Sequence, residues 1–147
     1  MPPHRSETFC QEWFRRVWNE GDARAIDQLM APDAVAHGLG DTPIHGPDEF
    51  RRFHGSFVRA FDGIHVEVVR EVAEGDMVSC WCEASMRRRD DPKLLGFSGA
   101  AMIRLRDRRM VEAWNSWDFL RLLEEMGHLP KDALAGAVTG QLHAYGR

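Results

Sequence analysis

Val111-Glu112-Ala113-Trp114-Asn115-Ser116-Trp117-Asp118-Phe119-Leu120 reads as a strand that carries two tryptophans and two carboxylates and then runs directly into a helix. Side chains alternate along a strand, so Glu112, Trp114, Ser116 and Asp118 share one face, while Val111, Ala113, Asn115 and Trp117 share the other. If the first set faces inward, Asp118 lies among aromatics, and desolvation lifts its pKa toward the range useful for proton transfer. That places an expected acid/base group in a pocket. Asp is also a favoured N-cap, and the helix opening at Phe119-Leu120-Arg121 needs one. One side chain can serve both roles. Glu112, on the same face, lies about 20 Å from Asp118 along the strand, which puts it at a rim.

Working backward from this stretch, the hydrophobic period is 2 from Ile64 onward. Ile64 to Glu74 and Met77 to Arg88 form two strands joined by a Gly75-Asp76 turn, and Phe97 to Arg106 pairs with Arg109 to Asp118 through Asp107-Arg108. A two-residue turn sets Ala101 opposite Trp114, Gly99 opposite Ser116 and Phe97 opposite Asp118. Small residues opposite a tryptophan leave room on that face. The other face, with Met102, Val111, Ala113 and Trp117, is also apolar and calls for a second covering, expected to be another copy of the chain in a homodimer.

Ahead of the strands the period is helical. Thr8-x-x-Gln11 resembles a capping box, followed by a stripe of Phe9, Cys10, Trp13, Phe14, Val17 and Trp18 that stops at Gly21. Asp22 caps a second helix from Ala23 to Met30, and Ala34 to His37 is a short strand. A loop from Gly38 to Gly46 leads to Pro47 at the start of a third helix, which buries Phe50, Phe53, Phe57, Val58 and Phe61. The expected fold class is α+β: three N-terminal helices closing a cone-shaped, curved antiparallel sheet with an apolar interior. Residues 1–147 make one domain, with a tail from Gly127 or 128 to Arg147 that holds a helical turn or two near Lys131 to Val138.

Composition agrees with a globular chain: 147 residues, 44% hydrophobic, 29% charged and a net charge of −4. No apolar run approaches the length of about 18 residues that spans a bilayer. Met1-Pro2-Pro3-His4-Arg5 opens into a polar helix start rather than an apolar leader, so the expected location is cytoplasmic, with no membrane partner. The acidic balance argues against nucleic acid. Cys10, Cys80 and Cys82 lack the spacing of a disulfide framework. Cys80-x-Cys82 puts two thiols on one strand face without a completing Cys/His pair, so they read as buried small apolar residues and no metal is expected.

The order of elements, with Val17-Trp18-Asn19-Glu20-Gly21-Asp22, Ala25 to His37, Gly46-Pro47-Asp48-Glu49-Phe50, Glu74-Gly75-Asp76 and Val111 to Asp118, resembles the nuclear transport factor 2-like superfamily, a cystatin-like α+β fold. Within it the chain is similar to the SnoaL-like polyketide cyclases and ester cyclases, over residues 6–127. The resemblance implies that Asp118, four residues after Trp114, is the acid/base of an aldol-type proton transfer needing no cofactor. His37 falls where ketosteroid isomerases of the superfamily carry their base, or else serves as a hydrogen-bonded pocket wall. Trp13, Phe50, Phe57, Trp81 and Trp114 are the expected substrate-binding lining, and His45 sits in a loop able to cover the mouth. The connection Arg87 to Gly96 is shorter than the family's covering loop. The one tyrosine, Tyr145, stands in the tail, away from any oxyanion role in the cone.

Three functions therefore stand side by side: a cofactor-free acid/base enzyme acting on a small apolar carbonyl compound, a non-catalytic binder of an apolar small molecule, and a dimerising scaffold. A carboxyl inside a real cavity favours the first. Asp118 occupied as a cap beside an accessible cavity favours the second, and a packed interior the third.

Overall fold

The structure is a computed structural model and describes residues 6–140, so Tyr145 and the end of the tail lie outside it. Helix α1 (Phe9–Trp13) opens with the Thr8 capping box: Thr8 accepts from the Gln11 N–H, and the Gln11 side chain accepts from the Thr8 N–H. The helix widens into a π-helical segment, Phe14–Asn19, before Gly21 takes a left-handed turn at φ 67°. Asp22 caps α2 (Ala23–Leu29). Strands β1 (Met30–His37) and β2 (Ile44–His45) follow, then α3 (Gly46–Ala60) and the long meander β3 (Phe61–Glu74), β4 (Met77–Arg88), β5 (Leu94–Arg106) and β6 (Arg109–Trp117). Two short helices, α4 (Phe119–Glu125) and α5 (Ala133–Val138), end the described chain.

These elements build the expected α+β cone. One open sheet has the order β2-β1-β6-β5-β4-β3, and three N-terminal helices lie across its inner face. The sheet is mixed rather than wholly antiparallel. β1 runs parallel to β6, with Val35, Ala36 and His37 beside Glu112, Ala113 and Trp114. β1 also starts at Met30, earlier than the short strand expected, and Ile44–His45 pairs with it instead of remaining loop.

The expected pairing of β5 with β6 needs correction. Asp107 and Arg108 form the two-residue turn, both with positive φ (53° and 64°), as a right-twisted hairpin requires. The ladder then goes Arg106 with Arg109, Leu105 with Met110, and Arg104 with Glu112. Val111 is an extra residue, a β-bulge. Beyond it Ala101 faces Asn115 and Gly99 faces Trp117, one position off the regular count. A one-residue slip exchanges faces. Ala113, Asn115 and Trp117 therefore point toward the helices with Ala101 and Ile103, while Trp114 points away.

The core follows this corrected face. Trp13, Phe14, Val17, Ile26, Leu29 and Phe50 pack on Ala36, Cys82, Ala101, Ile103 and Ala113, all buried. Each large apolar side chain so placed contributes about 1.5–3 kcal/mol. His54 of α3 is buried among them. Its Nε2–H donates to the Val17 carbonyl at 2.6 Å, an acceptor left over where the π-helical segment ends. Burial pushes the imidazole pKa below its ordinary value, against the opposing effect of that hydrogen bond. Asn19 ties the same helix to the sheet, its amide exchanging hydrogen bonds with both backbone groups of Val66 (2.6 and 3.1 Å).

A candidate small-molecule cavity

Between the helices and the inner face of the sheet lies an apolar cavity of about 70 Å³. α1 and its π-helical extension supply Trp13, Phe14 and Trp18, and α3 supplies Phe50, Phe53 and Phe57 at helical spacing. Trp18 meets Phe50, Phe53 and Phe57 edge-on, with ring centres 5.9–6.3 Å apart. The floor is made of small residues, Ala36, Ala101 and Ala113, with Ile103. Trp117 forms the end wall, held edge-on between Phe14 (5.8 Å) and Phe97 (6.0 Å). It lies flat against Gly99. A Cβ there would stand 2.3 Å from the indole, so only glycine admits this wall.

The cavity is small. Pockets for drug-sized ligands run to about 300–1,000 Å³. It suits a compact molecule, and anything polycyclic requires the aromatic rings to move. A wider hollow of about 410 Å³ lies between β5 and α4, among Lys93, Arg121, Lys131, Glu124, Glu125 and Asp132. Arg121 is paired with Glu125 there (3.0 Å), and Lys93 donates to the Glu125 carbonyl (2.8 Å). It is a solvated surface of balanced charge rather than a built site.

Trp13, Phe50 and Phe57 line the cavity, and the other expected site residues lie elsewhere. Trp81 is 47% exposed on the outer face, because buried Cys80 and Cys82 on either side oblige it to point out. Trp114 is turned outward by the bulge and stacks on His37 at 5.8 Å. His45 is exposed at the N-cap of α3, where its N–H donates to the Glu49 carboxylate (3.0 Å). Asp118 is exposed and caps α4. Its Oδ1 accepts from the Arg121 N–H at 3.0 Å, and its own N–H donates to the Ser98 carbonyl at 2.8 Å. Of its two expected positions it occupies the cap, outside the cavity wall.

His37 is likewise on the outer face. Its Nε2 lies 2.8 Å from Glu112 Oε2, and since a carboxylate only accepts, the imidazole donates. Arg104 stands over the Trp114 ring at 5.7 Å and reaches Glu112 at 3.7 Å. Parallel pairing of β1 with β6 assembles this group on the outer face. Only the His37 backbone looks toward the cavity side, its carbonyl accepting from Asn115 Nδ2 at 3.0 Å.

Asn115, Trp117, Phe14, Trp18, Phe53, Phe97 and Phe119 line the cavity without having been singled out as site residues. The signal for two of them was available. Gly99 and Ala101 mark a face that meets bulky partners, and that face belongs to whichever β6 residues the register brings opposite. Cys10, Cys80 and Cys82 are buried free thiols, with Cys80 and Cys82 Sγ atoms 3.7 Å apart. Among the described residues no group of three His, Cys, Asp or Glu side chains is arranged to hold a metal ion, and no helix is long and apolar enough to cross a membrane.

The SnoaL-like domain family matches residues 10–113 of the chain. No curated protein matches it. Among solved structures, a protein of ketosteroid isomerase-like fold from Catenulispora acidiphila, crystallised with trimethylamine, superposes with a TM-score of 0.74 at 18% identity, covering 87% of this chain and 98% of that one. IdmH from Streptomyces antibioticus, a candidate polyketide cyclase, is 26% identical with a TM-score of 0.66, over 81% and 96% of the two chains. AclR from Streptomyces galilaeus, a candidate hydroxylase, is 22% identical with a TM-score of 0.73, over 93% and 96%. At these identities the first and third show the shared fold.

Proposed function

The chain belongs to the SnoaL-like family, and on that footing we propose that it binds a small apolar molecule in the cone between helices and sheet. One observation carries this reading: among the described residues the cavity wall holds aromatic, aliphatic and thioether side chains and a single amide, with no carboxyl, imidazole, thiol or hydroxyl group. Proton transfer by a cavity residue needs such a group within about 3 Å of the reacting atom. The acid/base reading assigned that work to Asp118 and His37, and both side chains are engaged outside the wall, one as a helix cap and one with Glu112. Binding without chemistry by the protein's own side chains is what this arrangement supports best.

Trp13, Trp18 and Trp117 line the space, so a bound molecule changes indole emission directly. Titration with a panel of small neutral ketones, alcohols and hydrocarbons, followed by tryptophan fluorescence and calorimetry, tests the reading. Saturable binding of at least one class is expected. A flat response across the panel would show that the interior is closed, in favour of the scaffold alternative.

We also propose that two copies meet through the outer face of the sheet. Ala113 and Trp117, expected in that interface, are turned inward. The outward strip is instead Trp81, Met102 and Trp114, of which Trp81 and Met102 are each 47% exposed. Arg70 and Arg104 alternate there with Glu83 and Glu112. A face bearing both signs beside an apolar strip is complementary to itself under a two-fold rotation.

A further inference from the structure

Among the described residues Asn115 is the one amide in an otherwise apolar and aromatic wall, and its neighbours fix how it is turned. Its Oδ1 accepts from Trp117 Nε1–H at 3.1 Å, and its Nδ2 donates to the His37 carbonyl at 3.0 Å. An indole nitrogen can only donate and a carbonyl can only accept, so the amide cannot be reversed without losing both bonds. Each bond uses half of what the amide offers. One N–H and one oxygen lone pair remain. Ala36, Ala101 and Ala113, which surround it on the inner face, bring no polar side-chain atom to compete. Trp117 is itself clamped by Phe14, Phe97 and the absence of a Cβ at Gly99, so the amide is held from both ends.

Resting on the binding reading above, we propose that Asn115 selects the ligand: a compact, uncharged molecule with one oxygen function, a ketone or an alcohol, whose oxygen bonds to the free Asn115 N–H. The rest of the molecule lies against the rings of Trp18, Phe50 and Trp117. A ketone takes the free N–H, and an alcohol takes the N–H or donates to the free lone pair. Charged molecules are excluded, because an ion buried here meets no opposite charge and gives up its hydration. A hydrocarbon of the same shape enters but leaves the remaining amide N–H unpaired, which is the basis of discrimination.

The experiment compares cyclopentanone with methylenecyclopentane, cyclopentanol with methylcyclopentane, and cyclopentanecarboxylate as the charged probe, all titrated into the full chain. The oxygen-bearing member of each pair is expected to bind about three- to tenfold more tightly than its isostere, the range given by one net hydrogen bond. The carboxylate is expected not to bind. The carbonyl stretch of bound cyclopentanone should fall in frequency, as it does when a carbonyl accepts a hydrogen bond. In Asn115→Leu the preference for the oxygen-bearing member of each pair and the frequency shift should both vanish. If that variant fails to fold, the wild-type preference and infrared shift decide alone. Equal binding of ketone and hydrocarbon without a shift overturns the role of Asn115 and leaves the binding reading standing. Tight binding of the carboxylate also overturns it, and binding of nothing in the series overturns the reading on which it rests.

Discussion

Replacing Gly99 with alanine tests the bulged register of β6 at its most sensitive point. The added Cβ would lie 2.3 and 2.4 Å from two indole carbons of Trp117 and 2.9 Å from its Cα. Carbon atoms rest at about 3.5–4.0 Å, so the overlap exceeds 1 Å. The indole has no simple escape, since Phe14 and Phe97 flank it and Nε1–H is bonded to Asn115. Overpacking of this kind costs about 1–3 kcal/mol, and loss of the Trp117–Asn115 bond adds about 0.5–1.5 kcal/mol. A total of roughly 2–4 kcal/mol corresponds to a fall in Tm of about 5–15 °C for a domain of this size. Gly96→Ala is the matched control, because its Cβ meets only the Ala84 carbonyl at 3.7 Å. Thermal and urea unfolding of both variants, read by circular dichroism, gives the comparison. A Gly99→Ala protein as stable as Gly96→Ala would mean that Trp117 does not lie on Gly99, and the assignment of the inner face would fall with it.

Asp118→Asn keeps the cap of α4 and should change stability by only a few tenths of a kcal/mol, whereas Asp118→Ala should cost about 1 kcal/mol in urea melts. Neither should alter ligand titrations, and a loss of binding in the Asn variant would put the carboxylate back in the site. His54 is held neutral by burial, so its folded pKa lies below the unfolded value of about 6.5. The unfolded chain then takes up the proton first. Stability is complete above about pH 6.5 and declines as pH falls from there to the folded pKa. Urea midpoints measured across that window should show the decline in wild type and a flatter profile in His54→Gln. Met102→Glu places a charge in the exposed outer strip, and light scattering should report a monomer where the wild type gives a dimer. A wild-type monomer, or a dimer untouched by the change, would remove the outer face as the interface.

Much of the architecture was legible because local chemistry and tertiary structure agree. Thr8 with Gln11, Asp22, Gly75-Asp76 and Asp107-Arg108 all act where their residue types suggest, and the change of period at the end of α3 marks the passage to the sheet. The site was legible only in part. Trp13, Phe50 and Phe57 follow from helical periodicity, which survives small errors in boundary. Trp114 and Asp118 depended on strand parity in β6, which a single inserted residue reverses, and nothing in Met110-Val111-Glu112 distinguishes a bulge from a regular strand. Parity on β4 could have been read more strictly, since Cys80 and Cys82 cannot be buried on one face with Trp81 beside them. His37 and Glu112 lie 75 residues apart, and their meeting depends on a parallel pairing that no short-range pattern announces. His54 was hidden for a different reason. Its partner is the Val17 carbonyl, a backbone group, and any residue type can present one.

The placement of β1 between β2 and β6 has a consequence for the order in which the chain can assemble. β3 to β6 are joined by short connections, so the meander closes through local pairings as it emerges. β1 is made early and its parallel neighbour β6 is the last strand made, with the rest of the meander between them. Closing so long a loop adds little to the equilibrium cost, since that grows only with the logarithm of length, but distant pairings slow folding. During synthesis the first helix and α3 can pack on β1 and β3 early, but their cavity-side rings wait for Ala101, Ile103, Ala113 and Trp117 of β5 and β6. A nascent chain stopped before Arg109 exposes those rings, and it is there, rather than in the finished domain, that this sequence is most open to capture by chaperones or to aggregation.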